Sequence, residues 1–189
     1  MNRKTFYVLA GANGSGKSTI AQELLQEQKL EYINADDIAK ELNPANISKV
    51  KISAGKETKR RIENCFKEKL SFAVETTLSG NNYIKTFEEA KKSGYRIILL
   101  YTFVDNAKTC IERIKVRVKN GGHPVPDEDV IRRYKRSISN FWKKYKNLAD
   151  EWLLYYNGNE NYVFVAQQSK GKDIEIINEN LYTLFGENL

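Results

Sequence analysis

The nonapeptide Gly11-Ala12-Asn13-Gly14-Ser15-Gly16-Lys17-Ser18-Thr19 fixes where a strand must end and a helix must begin. It fits the spacing G-x-x-x-x-G-K-[ST], in which glycines let successive backbone N–H groups close around a phosphate without Cβ collisions. Lys17 then brings a cation to the terminal phosphates, and the Ser18 hydroxyl is a ligand type suited to Mg2+. A helix opening near Lys17 adds its positive end to the same spot. All nine residues are therefore expected to hold a nucleotide. The flanks agree: residues 4–10 form a short apolar, β-prone run, and Ile20, Ala21, Leu24 and Leu25 follow at helical spacing.

Outward from this loop, strand and helix patterns alternate. Strands are expected at 4–10, 30–34, 71–76, 95–103, 151–156 and 162–166, and helices at 17–27, 36–42, 46–69, 81–93, 106–119, 127–148 and 173–184. Residues 95–103 are the most apolar run, and Gly94 before them is a natural helix stop. Apolar strands separated by helices imply an α/β fold with a parallel sheet covered on both faces, and ligands then bind at the carboxyl ends of the strands. No repeat or linker interrupts the 189 residues, so a single domain is expected, with a helical, arginine-bearing, lid-like segment at about 106–148. No apolar run reaches membrane-spanning length and no leader pattern opens the chain, which makes a cytoplasmic protein the expectation. Cys65 and Cys110 fall on predicted helix faces and are read as buried thiols. The net charge of +7 suits a polyphosphate ligand, and it also suits nucleic acid.

Two strand ends carry carboxylates. The second strand runs into Asp36-Asp37 on the edge expected to hold the glycine loop. A carboxylate there can orient Mg2+ through water or take the proton of an attacking hydroxyl; equally, an aspartate before Ile38-Ala39 can cap the following helix. Asp36 is placed ahead of Asp37 as the catalytic and metal-facing residue, with Asp37 toward the substrate. The third strand ends in Glu75-Thr76-Thr77, a charge that must find a partner beside three apolar residues, with hydroxyl donors following it. Glu75, Thr76 and Thr77 are therefore substrate-side candidates, and a surface carboxylate followed by a loop is the plain alternative.

Arginines cluster in the helical segment. Val130, Tyr134, Ile138, Phe141, Tyr145 and Leu148 form an apolar stripe, with Arg133, Arg136, Ser137 and Asn140 beside it at i, i+3, i+4 and i+7. Arg113 and Arg117 share a face of the helix before. Guanidinium groups so spaced suit phosphate oxygens and can neutralise charge on a transferring phosphoryl group; a solvated basic face is the alternative. Arg117, Arg133 and Arg136 are the catalytic candidates. His123, the one histidine, lies in a Gly-Gly/Pro turn and has no second ligand for a metal site, so a structural or substrate-binding role is expected.

Taken together, residues 11–21, 33–39, 72–80, 117–126 and 133–137 resemble the zeta-toxin-like P-loop kinases, in a compact branch. The resemblance implies a P-loop kinase sheet of order 2-3-1-4-5 with a possible edge strand. It also implies phosphoryl transfer from ATP or GTP, with Mg2+, to the sugar 3′-hydroxyl of UDP-N-acetylglucosamine, and a small helical antitoxin as partner. Lys17 would hold the phosphates, Asp36 would act as base, Glu75 and the threonines would touch the substrate, and arginines of 113–136 would clamp the phosphate. Tyr155-Tyr156-Asn157 falls where the family often has Tyr-Asp-Asn-Ser near the nucleotide base, with Tyr156 replacing the aspartate. Other acceptors remain open on the residues alone: a nucleoside, a sugar acid or a polynucleotide end. An NTP-dependent switch is a further alternative, with nucleic acid the less favoured partner.

Overall fold

The computed structural model describes residues 3–28, 30–158 and 161–189. The chain runs β1 (Thr5–Gly11), α1 (Lys17–Gln28), β2 (Glu31–Asn34), α2 (Ala35–Leu42), α3 (Lys51–Lys67), β3 (Phe72–Thr76), α4 (Ile84–Lys92), β4 (Arg96–Phe103), α5 (Ala107–Lys119), α6 (Asp127–Lys143), β5 (Glu151–Asn157), β6 (Tyr162–Ser169), β7 (Glu175–Ile176) and α7 (Glu179–Glu187). Among the described residues the strands form one sheet in the order β2-β3-β1-β4-β5-β6-β7. The first five positions are parallel, as the kinase-type order requires. β6 and β7 extend the sheet antiparallel, so two strands stand where one edge strand was expected.

Alternation along β1 divides the core. Phe6, Val8 and Ala10 face the larger apolar layer, which also takes Ile62 and Cys65 of α3, Phe87 of α4, Ile114 of α5, Phe141 of α6 and Phe185 of α7. Leu9 faces the smaller layer with Ile20 and Ala21 of α1, Ala73 and Leu100. Helices thus cover both faces, unequally. Both cysteines are free and buried. No helix among the described residues is long and apolar enough to cross a membrane.

Three expected helices depart most from the sequence reading. The helix expected over 127–148 ends at Lys143, and a 3-10 turn, Tyr145–Asn147, follows. The break lets Lys144 reach Asn81 Oδ1 at 2.9 Å and the Tyr145 hydroxyl donate to the Gly80 carbonyl at 2.7 Å, tying α6 to the loop after β3. The helix expected over 46–69 splits into a 3-10 turn, Ile47–Val50, and α3. The tail expected to be helical over 173–184 first pairs Glu175–Ile176 with β6, and α7 opens only after Asn178, whose side chain accepts the Leu181 N–H at 3.0 Å.

Candidate active site

The glycine loop joins the carboxyl end of β1 to α1, as the spacing predicts. Gly14 (φ +83°) lies so close to α5 that a Cβ would meet the Cys110 carbonyl oxygen at 2.7 Å. Gly16 (φ +94°) would drive a Cβ into Asn157 Nδ2 at 2.0 Å. The loop is anchored from within: the buried Ser15 hydroxyl is 2.8 Å from Thr102 Oγ1 on β4.

Lys17, the first residue of α1, is 7% exposed, and its Nζ donates to the Ala12 carbonyl at 2.9 Å. Burial pushes its ammonium below the ordinary lysine value, while the charges of Glu75 and Asp36 pull it back up. Glu75, on β3 next to β1, has Oε1 4.0 Å from Lys17 Nζ and accepts the Ser18 hydroxyl at 2.9 Å. The same carboxylate accepts from the Tyr32 hydroxyl on β2, which in turn accepts from Asn34 Nδ2 at 3.3 Å. Burial and then the Glu75 charge hold the Tyr32 phenol well above its ordinary pKa, so it stays a donor near neutrality.

Asn34 caps α2 by accepting the Asp36 N–H at 2.9 Å. Neither aspartate is the cap, which disposes of that alternative: both lie in the first helical turn, where the helix favours negative charge. Asp37 pairs with Lys40 at 3.3 Å, while Asp36 faces the loop.

These groups meet in a cleft of about 370 Å³ whose lining includes Asn13, Lys17, Ser18, Asp36, Glu75, Arg113, Arg117 and Asn157. Its lining also includes Gly14, Gly16 and Thr19, while Gly11, Ala12 and Ser15 form the buried base of the loop. Arg117 donates to the His123 carbonyl at 2.9 Å, and Arg113 to the carbonyls of Asn157 and Gly158 at 3.1 and 2.5 Å. Other predicted residues lie outside that lining. Arg133 reaches the loop only at Asn13 Oδ1 (3.4 Å) and also faces Asp129 at 3.6 Å. Arg136 is exposed on α6. Ser137 and Asn140, from the same stripe, are engaged elsewhere, with the Tyr101 hydroxyl at 2.7 Å and the Leu78 carbonyl at 2.8 Å. Thr76 Oγ1 accepts the Leu78 N–H at 3.1 Å and the Thr77 hydroxyl is 2.9 Å from that of Ser79, so both shape the loop after β3. His123 lines a second cleft with Pro44–Ile47 and the 121–124 turn.

Sequence reading named neither Tyr32 nor Tyr162 for the site. Tyr32 stands two residues before Asn34 on β2, a period-2 neighbour on the same face, which is the signal that could have found it. Tyr162 reaches the site through a hydroxyl contact with the Gly16 carbonyl, 146 residues away in sequence, and leaves no local mark.

Ser18, Asp36 and Glu75 gather a hydroxyl and two carboxylates beside the phosphate-binding amides. Among the described residues no group of three His, Cys, Asp or Glu side chains could enclose a metal alone. Few, hard oxygen donors fit Mg2+, which takes its other ligands from water and phosphate.

Fold and cleft together define a P-loop domain of kinase-like build. The chain belongs to the AAA domain family, whose profile matches residues 7–140. An uncharacterized protein of Haemophilus influenzae is 36% identical over 133 residues, covering 70% of this chain and 93% of that protein. A shikimate kinase of Vibrio parahaemolyticus is 30% identical over 102 residues, 53% of this chain and 59% of the kinase, so the chain spans about three fifths of that relative. Among solved structures, the AvrRxo1-ORF1:AvrRxo1-ORF2 complex with sulphate ions superposes with a TM-score of 0.76 at 18% identity, covering 96% of this chain and 63% of that one. The PezAT chromosomal toxin-antitoxin system of Streptococcus pneumoniae gives 0.63 at 14% identity, covering 100% and 86%. At such identities the likeness is one of fold.

Proposed function

We propose that this protein is an ATP-dependent kinase of a small-molecule hydroxyl, with the sugar 3′-hydroxyl of UDP-N-acetylglucosamine as the favoured acceptor. One observation carries the kinase reading: Lys17, Asp36, Glu75, Arg113 and Arg117 line a single cleft over the glycine loop. The loop amides and Lys17 bind the β- and γ-phosphates. Ser18, Asp36 and Glu75 would hold Mg2+, which supplies charge neutralisation between the phosphates. Asp36 accepts the proton of the acceptor hydroxyl as its oxygen bonds to the γ-phosphorus; the bond from that phosphorus to the β,γ-bridging oxygen breaks, and ADP leaves with the electron pair. Arg113 and Arg117 offset the charge on the transferring group, and Arg133 and Arg136 join them from α6 if the 106–148 segment closes as a lid. Thr76, Thr77, Asp37 and His123, which lie outside the cleft lining, are assigned to the acceptor by the sequence reading alone.

The acceptor is favoured by the resemblance in residues 72–80, 117–126 and 133–137, and a small antitoxin-like partner by the same resemblance. Incubation with γ-labelled ATP, Mg2+ and a panel holding UDP-N-acetylglucosamine, shikimate, nucleosides and a 5′-hydroxyl oligonucleotide tests it. Label on the nucleotide sugar is the expected result. Label on shikimate alone, or on the oligonucleotide alone, replaces the acceptor, and release of free phosphate with every acceptor untouched sinks the kinase reading.

A further inference from the structure

Side chains from the C-terminal part of the chain grip two carbonyls of the glycine loop at the margin of the cleft. Asn157, the last residue of β5, donates Nδ2 to the Ser15 carbonyl at 2.8 Å. Tyr162, the first residue of β6, donates its hydroxyl to the next carbonyl, that of Gly16, at 2.5 Å. The two residues face each other across the antiparallel β5–β6 ladder, which fixes their side chains relative to one another. Arg113 ties that pair to α5 through the Asn157 and Gly158 carbonyls. Contact is tight: a Cβ on Gly16 would meet Asn157 Nδ2 at 2.0 Å and the Tyr162 hydroxyl at 2.7 Å.

Peptide planarity converts this grip into aim. The Ser15 carbonyl shares a trans peptide with the Gly16 N–H, and the Gly16 carbonyl shares one with the Lys17 N–H; in each unit oxygen and hydrogen point opposite ways. Side chains that hold both oxygens therefore fix the opposite direction for both N–H groups, the donors on which a phosphate over the loop depends. The Gly16 carbonyl also accepts the Thr19 N–H at 3.1 Å, within the two-acceptor capacity of a carbonyl oxygen.

We propose that Asn157 and Tyr162 are positioning residues that set the direction of the Gly16 and Lys17 amides, and through them the affinity for the polyphosphate chain of the nucleotide and not for its base. This rests on the reading of the loop as a nucleotide site. It departs from the expectation that 155–157 lies at the base: the Asn157 amide is engaged by a loop carbonyl, and the Tyr156 hydroxyl by Asp105 at 2.7 Å.

Two probes separate the possibilities: Mg-ATP and Mg-tripolyphosphate, which lacks the nucleoside. Their dissociation constants are measured calorimetrically for the unmodified protein, Tyr162→Phe, Asn157→Ala and, as a positive control, Lys17→Ala. Each clasp variant is expected to weaken both probes by the same factor, about fivefold to tenfold, as the loss of one hydrogen bond implies. A purely structural role would lower the melting midpoint and leave both affinities unchanged, which overturns the proposal. Weakened ATP with unchanged tripolyphosphate moves the residues to the base and also overturns it. Should Asn157→Ala loosen the β5–β6 turn, Tyr162→Phe, which removes one oxygen, carries the test alone. If the unmodified protein binds neither probe, the nucleotide reading fails and the clasp with it; if it binds both and the variants bind equally well, only the clasp fails.

Discussion

Replacing Glu75 by glutamine should push nucleotide binding and phosphoryl transfer in opposite directions. The carboxylate lies 4.0 Å from the Lys17 ammonium, with the two side chains 11% and 7% exposed. Two unit charges at that distance attract by about 4 kcal/mol at an effective dielectric of 20 and about 1 kcal/mol in water. An open cleft brings the value toward the lower figure, and we take about 1.4 kcal/mol, a factor of ten. Glu75 draws on the field that Lys17 would otherwise give to a phosphate, and it also repels a phosphate directly. Glutamine removes both effects while its oxygen still accepts from Ser18 and Tyr32. Metal-free ATP should therefore bind about tenfold tighter to Glu75→Gln, measured calorimetrically with a chelator present. The metal-dependent reaction should fall 10- to 100-fold, the usual cost of disturbing a group that orients metal ligands. Metal-free ATP binding that is unchanged or weaker would refute the electrostatic argument, and undiminished transfer would remove Glu75 from the metal side of the cleft.

Three further outcomes follow from the same geometry. Asp36→Asn should lower transfer of labelled phosphate at least 100-fold, since it removes the proton acceptor, and metal-free ATP should bind no more weakly than to the unmodified protein, since the charge lost is one that opposes the phosphates from the same cleft. Phe141→Ala should cost about 3–5 kcal/mol and lower the melting midpoint by roughly 10 °C, because the ring is fully buried and stacked on Tyr101 at 4.2 Å. Stability should fall as pH rises above 10: burial raises the phenol pKa of Tyr101 and Tyr134, and that of Tyr83 to about 12. The folded state then keeps protons that the unfolded state has lost, so stabilisation present below pH 10 disappears as pH climbs toward the folded values. Denaturant titrations of Tyr101→Phe should show a shallower alkaline decline than those of the unmodified protein.

What the sequence made legible was what short spacing encodes. The glycine loop is a local motif, and the rule that ligands gather at carboxyl strand ends was enough to bring Asp36 and Glu75 to its side. The apolar stripe of α6 and the turn after it was readable too: Val130, Tyr134, Ile138 and Phe141 of the helix and Tyr145 of the turn are all buried. Competing local signals hid other features. Asn34 takes the α2 cap in place of the aspartates because it stands two residues before Asp36, directly ahead of the first helical residue, with extended backbone. The stripe continued to Leu148 in period while the helix stopped at Lys143, because a hydrogen bond from Tyr145 to the loop after β3 was unknown to helical periodicity. β7 is two residues long, below the length at which alternation can be read.

The division of labour in the sheet explains why the least legible residues sit where they do. Its parallel half places functional groups by chain direction, since every strand ends on the cleft side and the next residues fall there whatever their partners. Hence Lys17, Asp36 and Glu75 follow from local sequence and topology. Its antiparallel half reaches the loop through a particular register, Asn157 opposite Tyr162, about 145 residues from the carbonyls they grip. One residue of slip would turn both side chains to the other face. The β-bulge at Leu154/Tyr155 lies within that register and resets it just before Asn157. Donor geometry at the glycine loop therefore depends on an irregularity in the β5–β6 hairpin that no motif records, and a change to the bulge should act on phosphate affinity from a distance.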